Sequence, residues 1–361
     1  MFVAWRDLKF AKGRFALMGT VITLITLLVG LLSGLTAGLG RQNISAITGL
    51  PADRIAFEAP AHGQSLSYTN STVTAGQWQQ WAATPGVTRA EPLGITTTKA
   101  TAGDRSTGVS AFGVQPGSRL APDGGRIREG TAVLSGTAAD DLGLEPGGTF
   151  RLAGRTMSVA AVRGDASFSH TPVIWTSLTD WRQVAPPAGA DGPAATVIAL
   201  DTSPGTDLTA ADRTIGTRTV GKDASLSAIG SYTSENGSLQ LMRGFLFAIS
   251  ALVVGAFFTV WTIQRSGDIA VLKALGASTA HLLRDALGQA AVLLVAGTLL
   301  GTGIAAVLGV LVLDQVVPFL LTPATVLGPA AVMVLMGALG AALSVRRITS
   351  VDPLTALGSA R

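Results

Sequence analysis

Cysteine is absent from the 361 residues, which excludes disulfides, thiolate metal sites and cysteine nucleophiles together. Charge is scarce. Asp, Glu, Lys and Arg make up 13% of the chain, about half of the ~25% typical of a soluble domain. Histidine is rare too, and His62, His170 and His281 are too far apart to form a metal-ligand pattern, so they read as surface or structural residues and no intrinsic metal or cofactor is expected. The net charge is +4. Its basic residues form no run and no interleaving with aromatics, which excludes a nucleic-acid partner. Gly216 to Asp223 (GTRTVGKD) nearly matches a phosphate-binding loop, but Asp223 puts a carboxylate where a magnesium-binding hydroxyl belongs. With no Ser/His/Asp grouping either, the chain reads as non-catalytic.

What the sequence does have is long apolar runs. A membrane-spanning helix needs ~20 such residues. Phe15 to Gly40, Gly244 to Ile263, Ala286 to Leu313 and Gln315 to Val345 carry no charge. Pro318 and Pro323 interrupt the start of the last run, so its helix is placed from Ala324. The expected order is therefore a segment 1–14, a first span 15–40, a large domain 41–238 and a second span 239–264. A loop 265–284, a third span 285–313, a loop 314–323, a fourth span 324–345 and a tail 346–361 follow. Lys and Arg crowd 1–14, 265–284 and 346–361, whereas the loop after the third span holds only Asp314. The bias of basic residues toward the cytoplasm then puts both termini and the 265–284 loop inside and 41–238 outside the plasma membrane. The first run is too long for the h-region of a secretory signal and reads as a retained anchor.

The 41–238 segment is mixed and polar, with short strand-like runs. A helix over 74–83 follows from Trp78, Trp81 and Ala82 on one face with Thr74 as its cap. Extended segments are expected at 87–100 and 108–114. A second unit begins near Thr131, with a strand 132–134, a helix 135–142, a Gly-rich turn 145–148 and a hairpin of 149–152 with 157–162. Strands at 173–175 and 196–200 and a helix at 206–214 complete an α+β domain of two subdomains.

After the second span comes TIQRSGDIAVLKALGAS (262–278). Asp268 suits a helix N-terminus, Ile269, Leu272 and Leu275 make one apolar stripe, and Gly276 closes the helix. Such a helix is suited to dock in a partner's groove. Lys273-Ala274-Leu275-Gly276-Ala277 resembles the signature run of FtsX/MacB-like ABC permeases. Pro353-Leu354-Thr355-Ala356-Leu357 is similar to that family's C-terminal motif, and 132–165 to its external subdomain. The likeness covers essentially the whole chain. It implies the MacB, or type VII, ABC permease architecture: an integral membrane protein with four transmembrane helices and a large extracellular α+β domain between helices 1 and 2. It also implies a homodimer in the lipid bilayer, bound to two copies of a cytoplasmic ATPase. Asp268, Ile269, Leu272, Lys273, Leu275 and Gly276 would form the coupling helix, and ATP binding would drive the domain by mechanotransmission. The scarcity of ionisable residues in the spans fits the absence of a polar conduit.

The modest domain and four-span form most resemble the heme-efflux permeases of Gram-positive bacteria, which makes heme the expected cargo. Gly30, Gly34 and Gly38 make an open stripe on the first span. It serves either as a helix-packing face or as a slot for a flat porphyrin. Tyr232 and Glu235, at i and i+3, share a face if the second helix begins early enough. Glu235 is the preferred ligand for ferric iron and Tyr232 the next. Arg243 pairs with a propionate in this reading, and Arg41 snorkels to headgroups. The alternatives are a mechanotransmitter that activates a cell-wall hydrolase through exposed tryptophans, and a lipid or peptide-antibiotic efflux permease.

Overall fold

The computed structural model describes residues 12–185, 194–264, 271, 276, 278–313 and 318–346. Asp268, Ile269, Leu272, Lys273, Leu275 and the C-terminal tail lie outside them. The chain forms two units, Leu39–Asn236 and a helical unit made of Met1–Gly38 with Gly237–Arg361.

Helices are numbered along the chain as α1 (Lys12–Thr48), α2 (Ala75–Ala82), α3 (Gly136–Leu142), α4 (Leu178–Val184) and α5 (Leu208–Ile215). They continue with α6 (Lys222–Ser225), α7 (Gly230–Gln264), α8 (Thr279–Leu308) and α9 (Pro323–Arg346). Four of them, α1, α7, α8 and α9, are long and apolar enough to cross a membrane. A membrane helix satisfies its backbone internally and gains little from apolar burial against its neighbours, so close backbone approach holds the unit together. Glycines supply that approach. A Cβ on Gly301 of α8 would stand 2.5 Å from the Thr23 carbonyl oxygen of α1, and one on Gly340 of α9 would stand 3.0 Å from the Ala251 oxygen of α7. Met18, Ile22, Phe258 and Leu294 fill the space between.

Three helix ends differ from the sequence expectation, and one is the start of α8 at Thr279 rather than near 285. Helix α1 continues past Gly40 to Thr48, and α7 begins at Gly230 rather than near 239. Charge marks where an apolar run ends, not where a helix ends. Beyond Arg41 the α1 helix persists because Ala46 and Ile47, with Leu50 just after it, pack into the core of the α/β domain.

Among the described residues that domain has ten strands: β1 (Arg54–Glu58), β2 (Val87–Ala102), β3 (Arg105–Val114), β4 (Thr131–Leu134), β5 (Thr149–Leu152), β6 (Arg155–Val162), β7 (Ser167–Phe168), β8 (Thr171–Ser177), β9 (Val197–Thr202) and β10 (Thr217–Gly221). Their order is β10-β1-β9-β2-β3-β8-β4-β6-β5, with β5 also pairing β2 and β7 pairing β8. The strands β2, β3, β8, β4, β6 and β5 thus close a ring, while β10, β1 and β9 extend β2 as an open antiparallel sheet. Closure removes the free edges that an isolated sheet would present. The sheets do not follow the expected split near Thr131: β3, before it, lies in the ring, and β9, after it, lies in the open sheet, because β2 pairs with both.

The hand-over occurs within β2. Leu93 pairs with Val197 of β9, and Gly94 pairs with Gly113 of β3. Both glycines lie under Trp181 of α4: a Cβ on Gly94 would be 2.2 Å from the indole, and one on Gly113 would be 2.4 Å from the Trp181 Cβ. The buried indole wedges the branch point of the sheets. Asp180 beside it is also buried and accepts from the Gly130 amide (2.9 Å), Ser177 Oγ (2.7 Å) and Arg155 Nη2 (3.0 Å).

The expected helix at 74–83 forms as α2, closed by a reciprocal Thr74–Gln77 capping box. The expected second unit appears as β4, α3, β5 and β6, with Ser135 capping α3 and Gly143 ending it at φ 65°. The stretch that mimics a phosphate-binding loop is no loop: Thr217–Gly221 is edge strand β10. The Gly94→Ala substitution is expected to lower the stability of the α/β domain by roughly 1–3 kcal/mol through overpacking against Trp181. Thermal unfolding followed by tryptophan fluorescence measures it.

Candidate functional site

Three segments distant in sequence meet inside the α/β domain: the last turns of α1, the β7–β8 turn and the first turns of α7. The β7–β8 connection is only Ser169-His170, because Phe168 already pairs with Thr171. Both central residues have positive φ, 50° and 65°. That is the signature of a type I′ hairpin turn, which favours Asn-Gly and costs an ordinary side chain backbone strain. The turn is held from several sides. Thr171 Oγ1 donates to the Phe168 carbonyl (2.8 Å), the Ser169 amide donates to the Asn43 carbonyl (3.0 Å), and the His170 amide donates to the Gln42 carbonyl (3.2 Å). Ser45 Oγ accepts from the Ser167 amide at 2.8 Å.

This strained turn projects His170 at Glu235. The imidazole Nε2 stands 2.8 Å from both carboxylate oxygens. Asn43 Nδ2 donates to Glu235 Oε2 at 3.0 Å and lies 2.8 Å from the same imidazole nitrogen. The carboxylate is the one strong acceptor where these groups converge, so amide and imidazole act on it as two donors. Asn43 is fixed in turn, since Ser231 Oγ donates to its Oδ1 at 2.5 Å and Ser169 Oγ lies 2.9 Å from Ser231 Oγ. Asn43 is 1% exposed, whereas the His170 and Glu235 side chains are 29% and 40% exposed. The cluster therefore has a buried anchor and a solvent-reachable pair. Carboxylate oxygen and imidazole nitrogen are both donors that iron accepts. Among the described residues there is no group of three or more His, Asp or Glu side chains placed to hold a metal ion.

The early start of α7 puts Tyr232 and Glu235 on one helix, as their spacing requires, but their side chains diverge in role. Tyr232 packs against the aromatic core, whereas Glu235 meets His170. Tyr68 is buried in the same core, edge-on to Phe57 and Phe168, and donates to Ser225 Oγ at 2.8 Å. Burial raises its hydroxyl pKa well above the ordinary tyrosine value, with the Ser225 hydrogen bond opposing, so it stays protonated. Arg41 is exposed. Arg243 lies about two turns beyond Glu235 along α7. Its Nε is buried without a hydrogen-bond partner among the described residues.

The glycine stripe of α1 is a packing surface. A Cβ on Gly34 would stand 2.3 Å from the Phe319 ring, one on Gly38 1.9 Å from the Pro318 oxygen, and one on Gly30 2.9 Å from the Ala305 Cβ. A flat ligand on this stripe would have to displace Phe319. Sequence reasoning read His170 as a surface or structural residue and gave Asn43 no role. The signal for His170 was available in its turn, but no spacing links residues this far apart. Gly276 has φ 95°, the backbone expected of a glycine that closes a helix.

Two family matches cover most of the chain. Residues 16–218 match the MacB-like periplasmic core domain, and 241–353 match the FtsX-like permease C-terminal domain. The chain belongs to the FtsX/MacB family of ABC permeases. It is a multi-pass membrane protein of type VII architecture, and membership implies a partner ATPase. A putative hemin transport system permease protein HrtB of Staphylococcus haemolyticus is 26% identical over 99% of both chains. An uncharacterized ABC transporter permease of Mycobacterium bovis is 24% identical over 99% of both. The extracellular domain of the Gram-positive transporter YknZ aligns at 12% identity and a TM-score of 0.35, covering 47% of this chain and 99% of that one.

Replacing the strained pair with a favoured one, Ser169→Asn with His170→Gly, relieves two positive-φ side chains. It gives up the His170–Glu235 contact, which, being part-exposed, is worth at most about 1 kcal/mol. A net stabilisation on the order of 1 kcal/mol is expected, read as a higher unfolding temperature. An unchanged or lower one would mean that the contacts around Glu235 outweigh the strain.

Proposed function

We propose that this permease exports heme, taken from the outer leaflet at the interface of two copies of the chain and driven by two copies of a separate ATPase. Both termini face the cytoplasm in this reading, residues 41–238 lie outside, and the 268–277 helix couples the spans to the ATPase. The observation that carries it is the His170–Glu235 pair on its buried Asn43 anchor. It offers an oxygen and a nitrogen donor near the start of a membrane helix, where a hydrophobic ligand with a ferric centre would be met. Arg243, with an unused donor in an apolar helix, suits a propionate. The relation to permeases named for hemin transport, over the full length of both chains, points the same way.

The hydrolase-activating alternative needs an exposed apolar patch on the α/β domain. Trp81, Trp175 and Trp181 are buried and Trp78 is half-buried with its Nε1 donating to the Ala90 carbonyl, so those tryptophans do not supply it.

Titrating hemin into the purified permease in lipid nanodiscs, with visible absorption as the readout, tests the reading. A saturable spectral shift is expected for wild type, with affinity reduced about tenfold or more in Glu235→Ala, ~1.4 kcal/mol or greater. A shift that survives Glu235→Ala but is lost in His170→Ala moves the iron to the imidazole. Loss only in Tyr232→Phe moves it to the phenol. Partitioning no greater than into empty nanodiscs overturns heme as cargo.

A further inference from the structure

Inside the helical unit, α1, α8 and α9 enclose a cavity of about 10 Å³ bordered by Thr26, Gly30, Thr302, Ala305, Thr325 and Pro329. Two observations made independently mark it as polar. The first is the Thr26 hydroxyl. Elsewhere on α1, buried hydroxyls bond back to the carbonyl four residues earlier: Ser33 Oγ to Val29 and Thr36 Oγ1 to Leu32, both at 2.7 Å. Thr26 is 2% exposed, yet its Oγ1 has no hydrogen-bond partner among the described residues. The second is Pro329 within α9. Proline has no N–H, so the Thr325 carbonyl four residues earlier loses the bond that a helix would give it. An unpartnered hydroxyl and a residue whose carbonyl has no N–H to accept four positions on thus border the same small space in a region without bulk water, where an unmet polar group costs free energy.

We propose that this cavity is a binding site for one ordered water molecule. The water bridges Thr26 Oγ1 and the Thr325 carbonyl, with the Thr302 hydroxyl as a third partner. The space holds one water, for which ~10–15 Å³ suffices, and three partners lie within the two to four such waters use. The bridge satisfies the carbonyl freed by Pro329 without a direct protein–protein bond. The proline site in α9 thereby keeps a replaceable contact to α1 and α8.

In a dry cavity, Thr26→Val removes an unsatisfied buried hydroxyl and leaves stability unchanged or raised. In a hydrated one it takes a partner from the water and lowers stability. Thermal unfolding of the full-length permease in lipid nanodiscs, followed by tryptophan fluorescence, reads the difference. Thr26→Val is expected to lower the midpoint by a few degrees, and Thr26→Ser, which keeps the hydroxyl, to stay near wild type. In a Pro329→Ala background the restored N–H satisfies the carbonyl, and the effect of Thr26→Val should shrink to less than half. Thr302→Val serves as a second arm with the same expected sign should Thr26→Val fail to fold. A midpoint that rises or holds in Thr26→Val overturns the water site. An undiminished loss in the Pro329→Ala background overturns the bridge to α9.

Discussion

The buried amide of Asn43 ties together segments more than a hundred residues apart. Its Oδ1 accepts from Ser231, its Nδ2 donates to Glu235, and its backbone carbonyl accepts from Ser169. A buried amide left without partners costs more than its hydrogen bonds gain, so this one residue holds α1, the β7–β8 turn and α7 in a single arrangement. The His170–Glu235 pair rests on it. Neither member is buried enough to be fixed by packing alone, and each is positioned by groups that Asn43 contacts.

The same logic runs through the α/β domain at a second point. Paired glycines at 94 and 113 admit Trp181 where β2 passes from the open sheet to the closed ring. A single continuous strand in both sheets makes the domain one folded body, and Asp180 locks α4 beside the junction. In the helical unit glycines serve the opposite solvent. There they bring backbones together, because apolar contact is no better than contact with lipid. The stripe at Gly30, Gly34 and Gly38 belongs to that set.

The strain in the Ser169-His170 turn is informative. A hairpin selected for stability alone would carry glycine at one of these positions. Strain of this kind tends to persist where surrounding bonds over-determine it and where function uses the side chain. Here the surrounding bonds come from Gln42, Asn43 and Thr171, and the side chain delivered is the imidazole that meets Glu235.

Much of this protein was legible in its residues because the underlying physics is local. Uncharged runs long enough for a bilayer announce spans, Thr74 as a cap announces a helix start, and short alternating strands at 149–152 and 157–162 announce a hairpin. Glu235 was singled out from its place just before an apolar run, though the helix that carries it starts five residues earlier. The rest depended on contacts that sequence distance hides. Helices α1 and α7 extend beyond their apolar runs because tertiary packing, not hydropathy, supports their ends. The glycine stripe looked open until Phe319, from a segment almost three hundred residues away, filled it. His170 read as an isolated histidine, and only the closure of the β7–β8 turn onto α1 made it a neighbour of Glu235. Periodicity and solvent preference are properties of the chain; the meeting of Asn43, His170 and Glu235 is a property of the fold.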